Sequence, residues 1–376
     1  MDTFETSLAA SNAEGAVRFK PTASIVNLKR RAALCKCARA FFDARDFVEV
    51  ATPTLSRDVV VDRFVEAIRV DLDSCWREPD AFAQSRFHER SLERANAFYL
   101  QTSPEFAMKR LLASGMDAIY QLAPAFRRGD RGAFHNVEFT MLEWYRVGVD
   151  YRGGRRLLAE FVENVARDFY RATSIDPQTP FRNCVQERPF ADAFEEKTQI
   201  DPIARDDVAL RNALQDAIRR QEIPCPTSYL ERDSDATNDD LIDLLFSELV
   251  QPSLGTNAPI ILYDYPGSQS QLAKTQEQEN GRVARRFELF VDGVELANGY
   301  DELVDPNVLR ARVERVSEER KRDGAQELPK ESRLLAAMDA GYPDSSGCAL
   351  GIDRFLMTLL GVDSIDAVLA FPIEIA

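Results

Sequence analysis

The sequence lacks a long apolar run, since no segment approaches the roughly 18 apolar residues that a membrane-spanning helix needs. It also lacks a secretory signal, because the opening MDTFETSLAASNAEGAVRFK has acids at its start and no apolar segment. The six cysteines are scattered, and the spacing of Cys35 and Cys37 suits neither a zinc site nor a thioredoxin-like motif. We therefore expect a cytoplasmic protein with free thiols and no membrane segment.

Positive charge and histidine are scarce as well. The chain has 47 lysines and arginines against 62 acids, a net charge of −15, and only 2 histidines. A general grip on nucleic acid needs clustered cations, so we do not expect tRNA as a partner, although a locally basic cleft is compatible with this balance. The sequence also shows no Ser/His/Asp or Cys/His pattern that would indicate a covalent enzyme nucleophile.

What the sequence does contain is a succession of helical and strand patterns that indicates an α+β domain built from antiparallel hairpins. Residues 24–46 have helical periodicity, and the following FVEVATPTL changes to strand-like alternation. AIYQLAPAFRR and HNVEFTMLEWYRVGVDY are predicted strands, as is APIILYDYP, and RRFELFVDGVELANGYDEL is a hairpin with Asp292-Gly293 at its tip. Further helices are predicted at about 155–172, 207–220 and 237–250, after Asp305-Pro306, and after SGCALG.

Three ranges define the expected organisation. Residues 1–23 are predicted to be a flexible leader, and residues 24–376 to form one domain. Residues 71–98 are polar with little periodicity, which favours an insertion on the surface. Just after it, TSPEFAMKRLLASG predicts a helix with Ser103 as its cap and Pro104 at its first position.

Cations and acids are placed where the strands should face each other. Arg127 is predicted to end the strand before the GDRGAF loop, His135 to begin the strand after it, and Arg354 to open the last helix. Acids gather across the hairpins at Glu138, Glu143, Glu288, Glu295 and Glu302. Arginine forks suit phosphate and carboxylate, so the set suggests a triphosphate with magnesium and a substrate that carries an amine.

Each of these residues also has an ordinary structural explanation. Arg127 is compatible with a surface arginine, His135 with a satisfied core side chain, and Glu105 with a helix-dipole acid. Phe139 and Tyr145 are typical core residues of a strand, and the hairpin acids are compatible with a solvated strand face. Only the joint pattern favours a functional site.

The segment GVELANGYDEL poses a geometric problem. Strict alternation places Glu295 on the strand face opposite Asn298, Tyr300 and Glu302. If all four reach one site, the strand is kinked or bulged between them, and we predict the irregularity at Asn298-Gly299.

Three ordered segments resemble the signatures of class II aminoacyl-tRNA synthetases of the lysyl type. FRRGDRGAFHNVEFTMLEWY resembles the second signature, the 24–46 helix with FVEVATPTL the first, and GCALGIDRFLMTLLG the third. The resemblance runs from about residue 24 to the last residue. It implies a class II synthetase catalytic core, with an antiparallel six- or seven-stranded sheet flanked by helices and a homodimer formed through the first motif.

Within this family, the chain is most similar to the truncated paralogues that act as elongation factor P–(R)-β-lysine ligases. Too few residues precede the first helix for the anticodon-binding barrel of a synthetase, so we expect no such domain. The synthetases carry glycine before the NG of the last hairpin, whereas this chain has Ala297, as the ligases do. The resemblance implies activation of lysine or (R)-β-lysine as an adenylate, then transfer to a lysine ε-amine of elongation factor P. A methyl group at Ala297 is expected to reshape the pocket around the substrate amino group.

The resemblance also implies which residues bind ATP and Mg²⁺. Arg127 would bridge the α-phosphate and the amino-acid carboxylate, Phe139 and Arg354 would sandwich the adenine, and Glu288 and Glu295 would hold the metal. The full ATP set implied is Arg127, His135, Asn136, Phe139, Glu288, Glu295 and Arg354, of which Arg127, Glu288, Glu295 and Arg354 are the implied catalytic residues.

For the amino acid, the resemblance implies a pocket with two ammonium sites. Glu105, with Ser103, would take the backbone-side ammonium, and Tyr300 would form an aliphatic wall. The full substrate set implied is Ser103, Glu105, Glu143, Tyr145, Ala297, Asn298, Tyr300 and Glu302.

One departure from the family pattern bears on activity. The family motif continues from the arginine as Arg-Asn-Glu-Glu, whereas here Gly129 replaces the first glutamate and Asp130 the second. Three alternatives stay open beside the protein ligase. One is an adenylate-forming ligase that acts on a tRNA or another amine, and a second, which Gly129 supports, is a catalytically weakened paralogue with a regulatory role. The third is an unrelated α+β protein, against which the three ordered motifs count.

Overall fold

A computed structural model describes residues 19–71, 97–231 and 236–376 of the chain. Most of the predicted leader (1–23) and most of the predicted insertion (71–98) therefore lie outside the described residues. The end of the leader is held by the far end of the chain. The backbone N–H groups of Thr22 and Ala23 donate to the carbonyls of Ala370 and Leu369 at 3.0 and 3.2 Å.

The described part of the chain folds around a nine-stranded sheet with the order β1-β5-β6-β12-β11-β10-β8-β7, and β9 pairs with β10. Its strands are β1 (Val48–Glu49), β5 (Ala118–Phe126), β6 (Glu138–Val147), β7 (Gln186–Pro189), β8 (Ile260–Pro266), β9 (Thr275–Glu277), β10 (Arg282–Val291), β11 (Val294–Asp301) and β12 (Ser345–Gly351). A small antiparallel sheet, β2-β4-β3, is formed by β2 (Leu55–Ser56), β3 (Ile68–Asp71) and β4 (Ala97–Leu100).

The α+β class is confirmed, but the antiparallel sheet of six or seven strands is wrong. β1 pairs with β5 and β7 with β8 in parallel, so the sheet is mixed. These two edge strands are 2 and 4 residues long, too short to give a period-2 signal in the sequence. The long inner strands, from β5 to β8 in the spatial order, pair in antiparallel fashion, as the hairpin patterns predicted.

The helices are α1 (Ile25–Asp43), α2 (Glu105–Ala113), α3 (Tyr151–Thr173), α4 (Phe190–Thr198), α5 (Asp207–Arg220), α6 (Asn238–Leu245), α7 (Pro306–Arg322), α8 (Arg333–Ala340) and α9 (Ile352–Leu360). The predicted helices correspond to α1, α2, α3, α5, α6, α7 and α9, and the last part of the 237–250 prediction is a π-helical turn. The short α4 and α8 are not predicted. Among the described residues, no helix has both the length and the apolar character needed to cross a membrane.

The two faces of the sheet have different tasks. On one face, Phe42 of α1, Trp144 of β6, Phe161 of α3 and Phe355 of α9 form an aromatic core, with ring centroids 5.4 to 6.1 Å apart between successive members. Alternate residues of β6 and its neighbouring strands point to the opposite face, which borders an open cavity. Because one face of the sheet is covered and the other is open, polar residues occur at alternate positions of its strands, on the open side.

A β-bulge changes the alternation of β11. Leu289 of β10 pairs with Ala297, but the next residue, Phe290, pairs with Glu295, so Leu296 is an extra residue in β11. Because paired residues share a face, Glu295 lies on the same face as Phe290. Phe290 is two residues after Glu288, which pairs with Asn298, so Glu295 and Asn298 share that face as well. The irregularity that the acid pattern requires is therefore present.

Its predicted place at Asn298-Gly299 is wrong, since these residues pair regularly with Glu288 and Phe287. The bulge lies nearer the hairpin turn, where Asp292 and Gly293 have φ of 49° and 75° as a two-residue turn requires. Glycine is needed at 299 for a different reason. A Cβ there would lie 2.3 Å from two ring carbons of Phe287 and 2.9 Å from the Gly347 carbonyl oxygen.

We predict that Gly299→Ala destabilises the fold by about 1–3 kcal/mol, because the added methyl group overpacks the sheet against the Phe287 ring. Urea unfolding followed by circular dichroism gives the free energy of unfolding. Gly132→Ala is the matched control, because its added Cβ meets no atom closer than 4.0 Å. Equal midpoints for wild type and Gly299→Ala would contradict the prediction.

Candidate active site

A cavity of about 540 Å³ lies on the open face of the sheet. Strands β6, β11 and β12 form its floor, while α2, α7 and the loop of residues 127–137 form its walls. The structure brings together all of the predicted site residues except Glu288 as lining of this one cavity.

One end of the cavity is acidic. Glu105, Glu143 and Glu302 are each more than nine-tenths buried there. Glu143 accepts hydrogen bonds from the hydroxyl groups of Ser103 at 2.8 Å and Tyr145 at 2.5 Å. The Ser103 oxygen also accepts from the Glu105 backbone N–H at 3.0 Å, so it supports the start of α2, although Pro104 is the residue at the cap position. We refer to Glu105, Glu143 and Glu302 with their surroundings as the acidic end.

A lysine not predicted as a site residue joins two of these acids. The Lys109 ammonium lies 2.5 Å from Glu105 Oε1 and 2.5 Å from Glu302 Oε2. The contact with Glu302 is an ion pair without a well-directed hydrogen bond, since Oε2 has no hydrogen-bond partner. Lys109 is 3% exposed and does not itself line the cavity, so it lies behind the two carboxylates.

Burial and mutual repulsion perturb the acidic end. Burial, with the neighbouring Glu105 charge, raises the pKa of Glu143 to about 8. Burial raises the pKa of Glu302 to about 7, although Lys109 acts in the opposite direction. Both groups therefore tend to be protonated below these values until a cation enters the cavity.

The opposite end of the cavity is cationic. The Arg127 guanidinium lies 5.2 Å from the centroid of the Phe139 ring, and its buried Nε has no hydrogen-bond partner among the described residues. An unpaired buried N–H of a guanidinium is costly unless an anion binds it. This end therefore fits a phosphate or carboxylate ligand, which a fork of arginine donors suits.

Arg354 and His135 complete this cationic end. Arg354 donates to His135 Nε2 at 2.5 Å and to the carbonyls of Phe134 and Glu295 at 3.1 and 3.0 Å. Burial, the Arg354 charge and, more weakly, the Arg127 charge lower the pKa of His135, which agrees with a neutral ring that accepts from Arg354. Arg354 thus contacts His135, and the cation near Phe139 in this structure is Arg127.

Two predicted positions at this end are wrong in detail. Arg127 does not end a strand and His135 does not begin one, because β5 ends at Phe126 and β6 begins at Glu138. Both lie in the 127–137 loop. Gly129 in this loop has φ of +84°, a conformation that side chains other than glycine rarely adopt, and a Cβ there would have open space around it. Backbone conformation therefore explains the glycine at this position.

The end of the chain holds this loop in place. Arg131 pairs with Asp366 at 3.0 Å and also with Glu374. The Asn136 side chain, predicted to bind ATP, donates to the Glu138 carbonyl at 2.7 Å and accepts from the Ile373 backbone N–H at 3.2 Å. Asn136 lines the cavity, but both hydrogen bonds of its side chain are made to protein groups.

The predicted metal ligands differ in their surroundings. Glu295 lines the cavity, and its carboxylate has no hydrogen bond or ion pair within the described ranges. Glu288 lies outside the cavity lining, where it pairs with Arg286 and accepts from the Tyr265 hydroxyl at 2.5 Å. No cluster of three metal-binding side chains occurs in the part of the chain that the structure describes. These donors fit a magnesium ion that takes most of its ligands from phosphates and water.

The remaining predicted residues of β11 divide between the two faces of the sheet. Asn298 accepts from Arg286 Nε at 3.2 Å and donates to the Tyr300 hydroxyl at 3.0 Å, so both face the cavity. Ala297 pairs with Leu289 and Leu350 and belongs to the main hydrophobic core. Because Ala297 also lines the cavity, a larger or smaller side chain there would change both the cavity surface and the packing behind it.

Sequence reasoning missed Lys109, Arg286 and Gly347. Glu105 and Lys109 are four residues apart in a helix whose other residues are apolar except Arg110, a spacing that places them on one face and signals a buried pair. Gly347 forms the floor of the acidic end, since a Cβ there would lie 2.2 Å from Tyr145 Cε1 and 2.4 Å from Glu302 Oε1. No local pattern marks this glycine, because strand pairing alone brings it below the two side chains.

Comparison with known proteins agrees with this geometry. The family model described as tRNA synthetases class II (D, K and N) matches residues 15–375. The chain is 38% identical over 352 residues to a protein from Vibrio cholerae named elongation factor P--(R)-beta-lysine ligase, covering 94% of this chain and 97% of the relative. Proteins of the same name from Vibrio parahaemolyticus and Proteus mirabilis are each 36% identical, covering 95% and 94% of this chain and 99% and 97% of the relatives.

The raised pKa values of Glu143 and Glu302 predict that an ammonium ligand such as lysine binds more tightly as pH rises through about 7 to 8. Below that range the carboxyl groups are protonated, and an ammonium ion binds only after they release protons. The affinity should then rise by up to about tenfold per pH unit for each proton released. Isothermal titration calorimetry in buffers of different ionisation enthalpy measures both affinity and proton release. Constant affinity between about pH 6 and about pH 8.5, without proton release, would contradict the prediction.

Proposed function

The chain belongs to the class II tRNA synthetases of the D, K and N group, and we propose that it is an ATP-dependent ligase that modifies elongation factor P. It activates lysine or (R)-β-lysine as an aminoacyl-adenylate. It then transfers the aminoacyl group to the ε-amine of a lysine on elongation factor P. Residues 24–376 act as one catalytic domain.

The observation that carries this proposal is the division of one cavity into an acidic and a cationic end. Glu105, Glu143 and Glu302 are placed to receive ammonium groups, while Arg127 offers an unpaired buried N–H to an anion. An amino acid with a second amine has both charges, and its carboxylate would reach the cationic end. That carboxylate is the group that adenylation must activate.

In the first step, an oxygen of the amino-acid carboxylate attacks the α-phosphorus of ATP. The new bond is a carboxyl oxygen–phosphorus bond, and the bond from the α-phosphorus to the bridging oxygen of pyrophosphate breaks. Arg127 holds both reactants together and neutralises charge, while His135 and Arg354 hold the nucleotide. Glu295, which lines the cavity, and Glu288, which is paired with Arg286 in this structure, would hold Mg²⁺, and the ion would supply further charge neutralisation.

In the second step, a neutral ε-amine of the acceptor lysine attacks the carbonyl carbon of the adenylate. A carbon–nitrogen bond forms, the carbon–oxygen bond to the phosphate breaks, AMP leaves, and the amine nitrogen loses its proton. The reaction needs no covalent enzyme nucleophile. The contribution of the chain is positioning and electrostatics, together with exclusion of water from a site whose acids are almost fully buried.

The proposed enzyme is a homodimer that associates through the first motif. Three apolar side chains of this segment support the proposal, since Ile25, Val26 and Val48 are 60%, 55% and 51% exposed in the single chain. Partner contact would cover them, as in other symmetric dimers.

The experiment that tests the proposed reaction is ATP–pyrophosphate exchange with (R)-β-lysine, α-lysine and other amino acids. Exchange with β-lysine, followed by a mass increase on purified elongation factor P, is the expected result. Exchange with no amino acid would overturn the enzyme proposal and favour the regulatory paralogue, for which Gly129 is the supporting departure. Exchange without any mass increase would favour a tRNA or another amine as acceptor.

Two substitutions should distinguish the role of the cationic end of the cavity from that of the acidic end. Arg127→Ala removes the only contact proposed to span both reactants, so exchange should fall at least about 10²–10³-fold. Glu302→Gln removes one charge from the acidic end, so the KM for lysine should rise roughly 30-fold or more while the KM for ATP changes little. Steady-state exchange kinetics measure both quantities.

Matched controls lie nearby. Arg128→Ala removes the exposed neighbouring arginine outside the cavity, and Glu314→Gln removes an acid paired with Lys330 on the surface. Both should retain exchange. Near-normal exchange by Arg127→Ala would contradict the motif assignment, and equal increases in both KM values for Glu302→Gln would contradict its role at the acidic end.

A further inference from the structure

We propose that Lys109 is a specificity-determining positioning residue, an internal ammonium ion behind the cavity that leaves the acidic end with two negative charges, the number that pairs with a ligand carrying two ammonium groups. This inference deepens the proposed function and rests on it for the identity of the substrate. It concerns a residue that does not line the cavity, so Lys109 acts through the carboxylates that it contacts.

The position of Lys109 keeps its ammonium group from competing with the substrate for the cavity side of the carboxylates. Its ammonium contacts Oε1 of Glu105 and Oε2 of Glu302, each at 2.5 Å. Glu302 Oε1, by contrast, faces the cavity side, since it is the atom that a Cβ on Gly347 would meet. Lys109 therefore takes one oxygen of each acid from behind, and the second oxygen of Glu302 is left for a ligand.

The charges then match a diamino acid. Three ionised carboxylates less one ammonium leave two negative charges at the acidic end. Glu143 makes no ion pair in the described part of the chain and is held by Ser103 and Tyr145 alone. Lysine and β-lysine each carry two ammonium groups, and their carboxylate would lie with Arg127 at the other end. Without Lys109, a third charge would have no partner, and burial makes an unpaired charge very costly.

The other titratable groups around this cluster do not change the net charge of the acidic end. Burial raises the pKa values of Tyr145 and Cys348 well above their usual ranges and raises that of Tyr342, so all three are neutral near pH 7. Asp301, which follows Tyr300 on the opposite face of β11, is neutralised separately. It pairs with Lys274 at 3.0 Å and with Arg285 at 2.8 Å.

The test compares Lys109→Met, Lys109→Gln and Lys109→Arg with wild type. Loss of the charge strengthens proton binding by Glu143 and Glu302, because the nearby Lys109 charge lowers both pKa values. In the Met and Gln variants the KM for lysine should rise about 10- to 100-fold at pH 7, with an unchanged KM for ATP. The pH at which affinity for lysine increases should move upward, so that the loss shrinks at high pH. Lys109→Arg should keep the wild-type pH profile.

Lys330→Met is the matched control, because it removes one lysine charge from a surface pair with Glu314 and leaves the cavity lining unchanged. Calorimetric binding of lysine to the same proteins is measured beside exchange. Absence of exchange in wild type would overturn the proposed reaction, whereas the calorimetric affinity for lysine would still test the role of Lys109.

Three results would overturn the inference itself. One is a Lys109→Met or Lys109→Gln variant with the pH profile of wild type. Another is an equal rise of both KM values, which a merely structural role would produce. The third is failure of both neutral variants to fold while Lys109→Arg folds, which would assign Lys109 to stability alone.

Discussion

Carboxylates can be buried side by side in the ionised form only when cations neutralise them, and this constraint governs the acidic end of the cavity. Glu105, Glu143 and Glu302 lie on α2, β6 and just after β11, three elements that meet only in the folded chain. Lys109 supplies one cation from within, and hydroxyl groups hold Glu143. The remaining charge is left for a ligand, so the same interaction that limits stability also creates recognition.

The bulge at Leu296 shows how a small irregularity of the sheet serves this arrangement. It brings Glu295 onto the cavity face without breaking the pairing of β11 with its neighbours. Glu295 thereby lines the same cavity as Asn298 and Tyr300. A single strand therefore supplies a proposed metal ligand and two proposed substrate-binding residues.

Sequence patterns and ordered motifs predicted most of the helices, the inner strands and a set of site residues that all line the cavity except Glu288, because long periodic segments and ordered motifs carry a strong local signal. They did not predict the parallel edge strands β1 and β7, whose 2 and 4 residues are too few for a period. They placed the bulge two to three residues too late, because Asn298-Gly299 looks like a turn while Leu296 looks like any strand residue. Lys109 was missed because a helical lysine is usually exposed, and only tertiary packing buries this one.

The contacts of Arg131 and Asn136 with residues 366–374 have a consequence for the order in which the site is completed during synthesis. The 127–137 loop is synthesised long before the residues that hold it in place, since Arg131 and Glu374 are 243 positions apart. Residues 365–374 are the last of the site to be made, whereas the strands that bear the acids are already translated. The contacts that hold the 127–137 loop can therefore form only after residues 366–374 have been synthesised.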